Sequence, residues 1–172
     1  MALTRIGGAN AITGTIPQGN IANASLGAVT ALPAGVGGKI VQMVSATTSS
    51  STTVSSGSFT STSLTANITP SSASNKIIIW SLGGEADTGS ANYSMQPSIF
   101  RDSTNIGNGT AGMNTVYATG TRMQGNPTVG VVDSPSSTSQ ITYTLKIKGA
   151  GGSTTFNANT CQATIILMEI TP

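Results

Sequence analysis

The chain has 172 residues, room for one domain of ordinary size and a modest extension. Charged residues make up 7% of it while Ser and Thr together number 50, and a net charge of +2 is scattered over seven Lys and Arg, which excludes an electrostatic footprint for nucleic acid and builds the solvated faces from hydroxyls. With no His and a single Cys, Cys161, neither a Ser-His-Asp device, an intrachain disulfide nor one of the usual zinc sets can be assembled.

Residues 1–38 have a texture of their own. After Arg5 no charge appears before Lys39, and the composition is Gly, Ala, Asn and isolated aliphatics. Ile6, Ile12, Ile16 and Ile21 follow neither a helical nor a strand period, and the glycines have no period of three, which excludes a collagen shaft. Fully extended, the segment reaches on the order of 120 Å. Ser25 to Leu32 admits a short helical turn. Alone, such an arm buries too little apolar surface to order itself, so it reads as a linker or as a segment ordered by copies of itself or by a larger assembly.

From Lys39 the pattern becomes one of alternation. Ile40 to Val44 is the first predicted strand, and Ala46 to Ser58, nearly all Ser and Thr, reads as a loop or weak edge strand. Leu64, Ala66 and Ile68 alternate with polar residues up to Pro70. Lys76 to Leu82 is apolar on both faces, with Ile77 and Ile79 on one and Ile78, Trp80 and Leu82 on the other; Trp80 is expected in the core, and Gly83-Gly84 ends or bulges the strand. Tyr93, Met95, Pro97 and Ile99 share a phase, and the proline assigns this segment to an edge or bulged strand. Met113 to Ala118 and Thr128 to Val132 are shorter candidates. Ile141 to Lys148 is one-sided, with Lys146 and Lys148 on a solvated face. Cys161 is expected to pack as a small hydrophobe.

The last strand, Ala163 to Ile170, is apolar on both faces: Ala163, Ile165 and Leu167 with Glu169 on one, and Thr164 with Ile166, Met168 and Ile170 on the other. It reads as a central strand that closes the fold from inside, one face in the subunit core and the other toward neighbouring subunits. Glu169, near its end, is expected to reach solvent or a cation. Eight to ten strands without a helix predict an all-β two-sheet sandwich of jelly-roll or Greek-key type.

The acids offer no convincing catalytic pair: Glu85 and Asp87 are close in sequence and read as two solvated carboxylates in a loop. Gly107-Asn-Gly109-Thr-Ala-Gly112 matches a dinucleotide-binding spacing but is followed by no helical pattern, so it reads as a glycine-rich turn. There is neither a secretory start nor an apolar run long enough to span a membrane, so synthesis in a reducing cytoplasm is the expectation.

The motifs Lys39-Ile-Val-Gln-Met-Val, Ile68-Thr-Pro-Ser-Ser-Ala-Ser-Asn-Lys-Ile-Ile-Ile, Ile99-Phe-Arg-Asp, Asp133-Ser-Pro, Ile141-Thr-Tyr-Thr-Leu and Ile165-Ile-Leu-Met-Glu-Ile occur in that order. Together they resemble a family of tail-fibre and virion structural proteins of tailed bacteriophages, of the marine and cyanobacterial type. Gly14-Thr-Ile-Pro-Gln-Gly-Asn-Ile-Ala resembles sequences that precede such domains. The resemblance implies a trimeric jelly roll similar to tumour necrosis factor-like domains, no enzyme activity and no cofactor.

Under this reading residues 1–38 attach the protein to the virion or interlock in a homotrimer, with Ile6, Ile12, Ile16 and Ile21 as the candidate anchor, docking on tail, baseplate or capsid proteins. Residues 39–172 form the head. Its candidate loops facing a host-surface glycan or protein carry Asp87, Asn92, Tyr93, Asn108, Tyr117 and Arg122, and Ile166, Met168 and Ile170 are the candidate trimer interface. A short tail fibre or tail-tip fibre is the leading expectation. A capsid decoration protein or head fibre that braces the shell without a receptor is the alternative, and a free carbohydrate-binding module or glycan hydrolase is third.

Overall fold

The computed structural model describes residues 39–172; the candidate anchor residues Ile6, Ile12, Ile16 and Ile21 and the helical turn near Ser25 lie outside the described residues. The described chain contains thirteen strands: β1 (Ile40–Thr48), β2 (Thr52–Val54), β3 (Thr60–Ile68), β4 (Lys76–Gly83), β5 (Ala86–Asp87), β6 (Ser94–Arg101), β7 (Thr104–Asn105), β8 (Val116–Tyr117), β9 (Gln124–Gly125), β10 (Val129–Asp133), β11 (Ile141–Ala150), β12 (Thr154–Phe156) and β13 (Ala163–Ile170).

The long strands pair antiparallel in a four-stranded sheet, β1-β13-β4-β10, and a five-stranded one, β3-β11-β6-β7 with β8 also on β6. Along the chain they alternate between the two sheets, β1 then β3, β4 then β6, β10 then β11, then back to β13, which is the jelly-roll arrangement. The remaining strands β2, β12, β5 and β9 lie in four connections at one end of the sandwich and pair there as a small third sheet, a cap. Gly83 and Gly84 end β4 and turn it into the cap. Both have positive φ, and a Cβ on Gly84 would lie 2.7 Å from Asn157 Oδ1, so no other residue fits the bend.

Alternation fills the core from both sheets. Ile77 and Ile79 of β4 and Ile165 and Leu167 of β13 face Leu145 and Ile147 of β11, all with no exposed surface. Pro97 is on neither the edge strand nor the bulge that the sequence suggested: β6 lies between β11 and β7 and pairs with β11 in unbroken register. Its partners on that second side stop short of it, however, β8 at Met95 and β7 at Phe100, and the Pro97 carbonyl there accepts from Met113 N at 2.8 Å. The missing N–H therefore falls where no ladder bond is required.

Two carboxylates sit inside the end opposite the cap, both in register with Ile77: Glu169 on β13 and Asp133 on β10. Arg101 Nη1 of β6 donates to both oxygens of Asp133 at 3.0 Å, and the Tyr143 hydroxyl of β11 donates to Oδ2 at 2.7 Å. This cluster ties the two sheets through polar atoms, and burial together with the Asp133 acceptor raises the Tyr143 phenol far above its ordinary range.

Glu169 neither reaches solvent nor meets a cation, contrary to the sequence expectation: it is fully buried. Its Oε1 accepts from Ser71 N and Oγ, both at 2.7 Å, and from Asn75 Nδ2 at 2.6 Å, while Oε2 accepts from Gln42 Nε2 at 2.5 Å. Burial alone would raise its pKa, but the donors from Asn75, Gln42 and Ser71 outweigh it and bring the carboxyl down from 4.5 to about 2. A carboxyl with a depressed folded value stabilises above its unfolded pKa and loses that contribution as pH falls through the folded one. Urea unfolding should thus show a loss of about 3 kcal/mol between pH 4.5 and 2 from this group, with a flatter profile and lower stability at neutral pH for Glu169→Gln. Equal slopes for the two proteins over that interval would contradict the assignment.

Candidate functional site

The two outer faces of the sandwich differ in chemistry. On the β3-β11 side Ser61, Ser63, Thr65 and Asn67 are exposed, and Thr65 and Thr144 share a hydrogen bond at 2.9 Å. Lys146 and Lys148, expected on a solvated face, are half-buried over aromatic rings: Lys146 Nζ lies 4.3 Å from the Phe100 centroid and Lys148 Nζ 4.9 Å from that of Phe59.

The outer face of the β1-β13-β4-β10 sheet is apolar. Register places Met43, Met168, Ile78 and Val132 in one row across four strands, and Ser45, Ile166, Trp80 and Gly130 in the next. Leu82 extends it toward the cap and Ile170 toward the opposite end. Met43 is 65% exposed, Val132 56% and Trp80 44%, so Trp80 is not the core residue its sequence context suggested. Its indole lies against Gly130, where an added Cβ would meet Cδ1 at 2.6 Å. Beside it, Leu82, Thr128 and Val129 complete a shallow depression of about 450 Å³. The predicted interface residues Ile166, Met168 and Ile170 are half-buried on this face, and sequence reading missed Met43 and Val132, whose signal is only their phase.

The cap end gathers five of the six candidate recognition residues. Asp87 and Arg122 meet there: Arg122 Nε donates to Asp87 Oδ1 at 2.8 Å and Nη2 to Oδ2. Asp87 is buried instead of exposed on a loop, because its guanidinium partner and the Gly89 N–H cover it. Those hydrogen bonds, Arg122 first, hold its carboxyl below the usual range against the opposing effect of burial. Glu85 is likewise buried and separate, accepting from Asn159 N at 3.2 Å and Nδ2 at 3.0 Å, so the two acids form no solvated pair. Cys161 is exposed, contrary to its expected packing, with Sγ 3.9 Å from Glu85 Oε2.

Tyr117 is 47% exposed, and its hydroxyl donates to Asn92 Oδ1 at 3.3 Å. Tyr93 is half-buried, its ring closely covering Gly151 and Gly152, so it serves packing more than contact. Met123, 43% exposed, is a cap residue that sequence reading missed. Asn108 is elsewhere, in an exposed turn over β6 where its Oδ1 accepts from Thr110 N and Ala111 N. Among the described residues no group of three or more His, Cys, Asp or Glu is placed to hold a metal ion, and no helix is long and apolar enough to cross a membrane.

Arg122→Ala should leave the Asp87 carboxylate without its cover and loosen the cap selectively. Amide hydrogen exchange in β5 and β12 is expected to speed up by roughly tenfold while β11 and β13 keep their protection. Unchanged exchange in the cap would show that the ion pair does not fasten it.

No family model matches the chain, and no curated protein matches it. Fourteen chains of solved structures do. One is a mutant VP2 protein of infectious bursal disease virus in derived T=1 particles, 15% identical over 76% of this chain and 36% of that one, with a TM-score of 0.37. Chains of the Gx and Gt strains of the same virus are 14% and 16% identical, cover 75% and 76% of this chain, and have TM-scores of 0.36 and 0.34. This chain spans 36–38% of the length of those chains.

Proposed function

We propose that the protein is a virion structural component of a tailed bacteriophage, a trimeric short tail fibre or tail-tip fibre whose residues 1–38 attach it to the particle and whose head makes contact with the host surface. The observation that carries this reading is the polarity of the head. β1 begins and β13 finishes at one end, where Thr171 N donates to Lys39 O at 2.9 Å, and the other end is closed by the cap. A head held by the end at which β1 begins would present the cap outward. Tyr117, Asn92, Arg122 and Met123 give that end exposed aromatic, amide, cationic and thioether groups, suited to weak contacts with a glycan or protein that three copies strengthen by multivalency. The ordered motifs that resemble phage tail-fibre and virion structural proteins support the same reading.

Antibody against the head, applied to purified virions, should label the tail or its tip. Label distributed over the capsid shell would replace the fibre with a capsid decoration protein, and absence of label would end the virion reading.

A further inference from the structure

We propose that Asn108 is a site of spontaneous covalent change, at which the main-chain nitrogen of Gly109 displaces the side-chain amide and leaves an aspartate in the turn after β7. Of the twelve asparagines in the chain only Asn108 is followed by glycine. Attack on Cγ by the next residue's nitrogen requires that this nitrogen carry a proton to lose and that its own side chain stand clear of the closing succinimide ring. Asn126 is also exposed but precedes Pro127, which has no N–H to give, and Asn114 precedes the β-branched Thr115. Asn108 and Gly109 are both exposed, and a Cβ built on Gly109 would meet nothing within 4 Å, so the ring has room to close.

The turn arranges the atoms that the reaction uses. Asn108 Oδ1 accepts from Thr110 N at 2.8 Å and from Ala111 N at 2.9 Å, two donors that draw charge from Cγ and stabilise the oxyanion of the tetrahedral adduct. Among the described residues neither the Gly109 N–H nor Asn108 Nδ2 has a hydrogen-bond partner, so nucleophile and leaving group are open to water. The backbone around them is held in place, with Gly112 N donating to Asn108 O at 2.8 Å and Lys148 Nζ to Thr110 O. Gly109 N gives its proton to hydroxide and bonds to Cγ. The Cγ–Nδ2 bond then breaks, and the amide nitrogen takes a proton from water and leaves as ammonia. Water opens the resulting succinimide on either side. Cleavage between Cγ and the Gly109 nitrogen restores the main chain and puts a carboxylate where the amide was, on the same two N–H donors, which hold an anion more strongly than an amide. Cleavage between the Asn108 main-chain carbonyl carbon and that nitrogen gives isoaspartate, whose backbone runs through Cγ and displaces the carbonyl that Gly112 N bonds. The fold therefore directs the product toward aspartate, and each event lowers the net charge of +2 by one.

The full chain is incubated folded at mildly alkaline pH beside the same chain unfolded in urea, and its peptides are mapped by mass spectrometry with aspartate separated from isoaspartate. In the folded protein position 108 should gain an acid while Asn114 and Asn126 remain amides, with aspartate as the larger product. In urea, where no N–H donors are held against the side chain, isoaspartate should be the larger. Gly109→Ala, which the open space around Gly109 admits without repacking, should keep the wild-type circular dichroism spectrum and convert severalfold more slowly. An Asn108 that stays an amide in the folded chain while it converts in urea overturns the proposal, because the turn would then protect it. Conversion of the Gly109→Ala form as fast as wild type overturns the role of the Gly109 nitrogen, and isoaspartate as the main product of the folded chain overturns that of the Thr110 and Ala111 donors.

Discussion

A sheet that is apolar on both faces needs two covers, and a sandwich supplies only one. β13 states the problem most plainly. Ala163, Ile165 and Leu167 have no exposed surface, while Ile166, Met168 and Ile170, on the same strand, are half-buried by their strand neighbours alone. Because β13 lies between β1 and β4, its outward side chains join Met43, Trp80 and Val132 into one surface. The fold's interior is therefore complete, and its outer apolar face is the part that the sandwich leaves uncovered.

The two ends of the sandwich are closed by different chemistry. At one end Glu169, fully buried, and Asp133, half-buried, flank Ile77. One is satisfied by neutral donors from Gln42, Ser71 and Asn75, and the other by Arg101 and Tyr143. Such groups are costly to bury unless every oxygen is matched, so they fix the pairing of distant strands more strictly than apolar contacts do. At the other end, four connections pair as the cap, with Asp87 and Arg122 fastening β5 to the segment before β9. Side chains on a paired cap are held in place more firmly than on open loops.

Much of this was legible in the sequence because it depends on spacing of two. The alternations at Lys76–Leu82, Ile141–Lys148 and Ala163–Ile170 mark β4, β11 and β13, and the two-sided character of the last strand foretold its central position. Side-chain partners were not legible where they are remote in sequence: Glu169 meets Gln42 across 127 positions and Ser71 across 98, and Asp87 meets Arg122 across 35. Trp80 was misplaced for a related reason. An isoleucine-rich strand buries one face for certain, but the fate of the other depends on what lies outside the sheet. The candidate recognition residues came together because five of them fall in connections that jelly-roll topology brings to one end; Asn108, in the turn after β7, does not share that end.

Hydroxyl-radical footprinting of the full chain under native conditions tests the central claim most directly, since in a single head Met43 is 65% exposed and Trp80 44%, against 43% for Met123 and 47% for Tyr117. If the outer face of the β1-β13-β4-β10 sheet is covered in the assembled protein, Met43 and Trp80 are protected while Met123 and Tyr117 at the cap are oxidised. Oxidation of Met43 as fast as Met123, with Trp80 as reactive as Tyr117, would contradict the account.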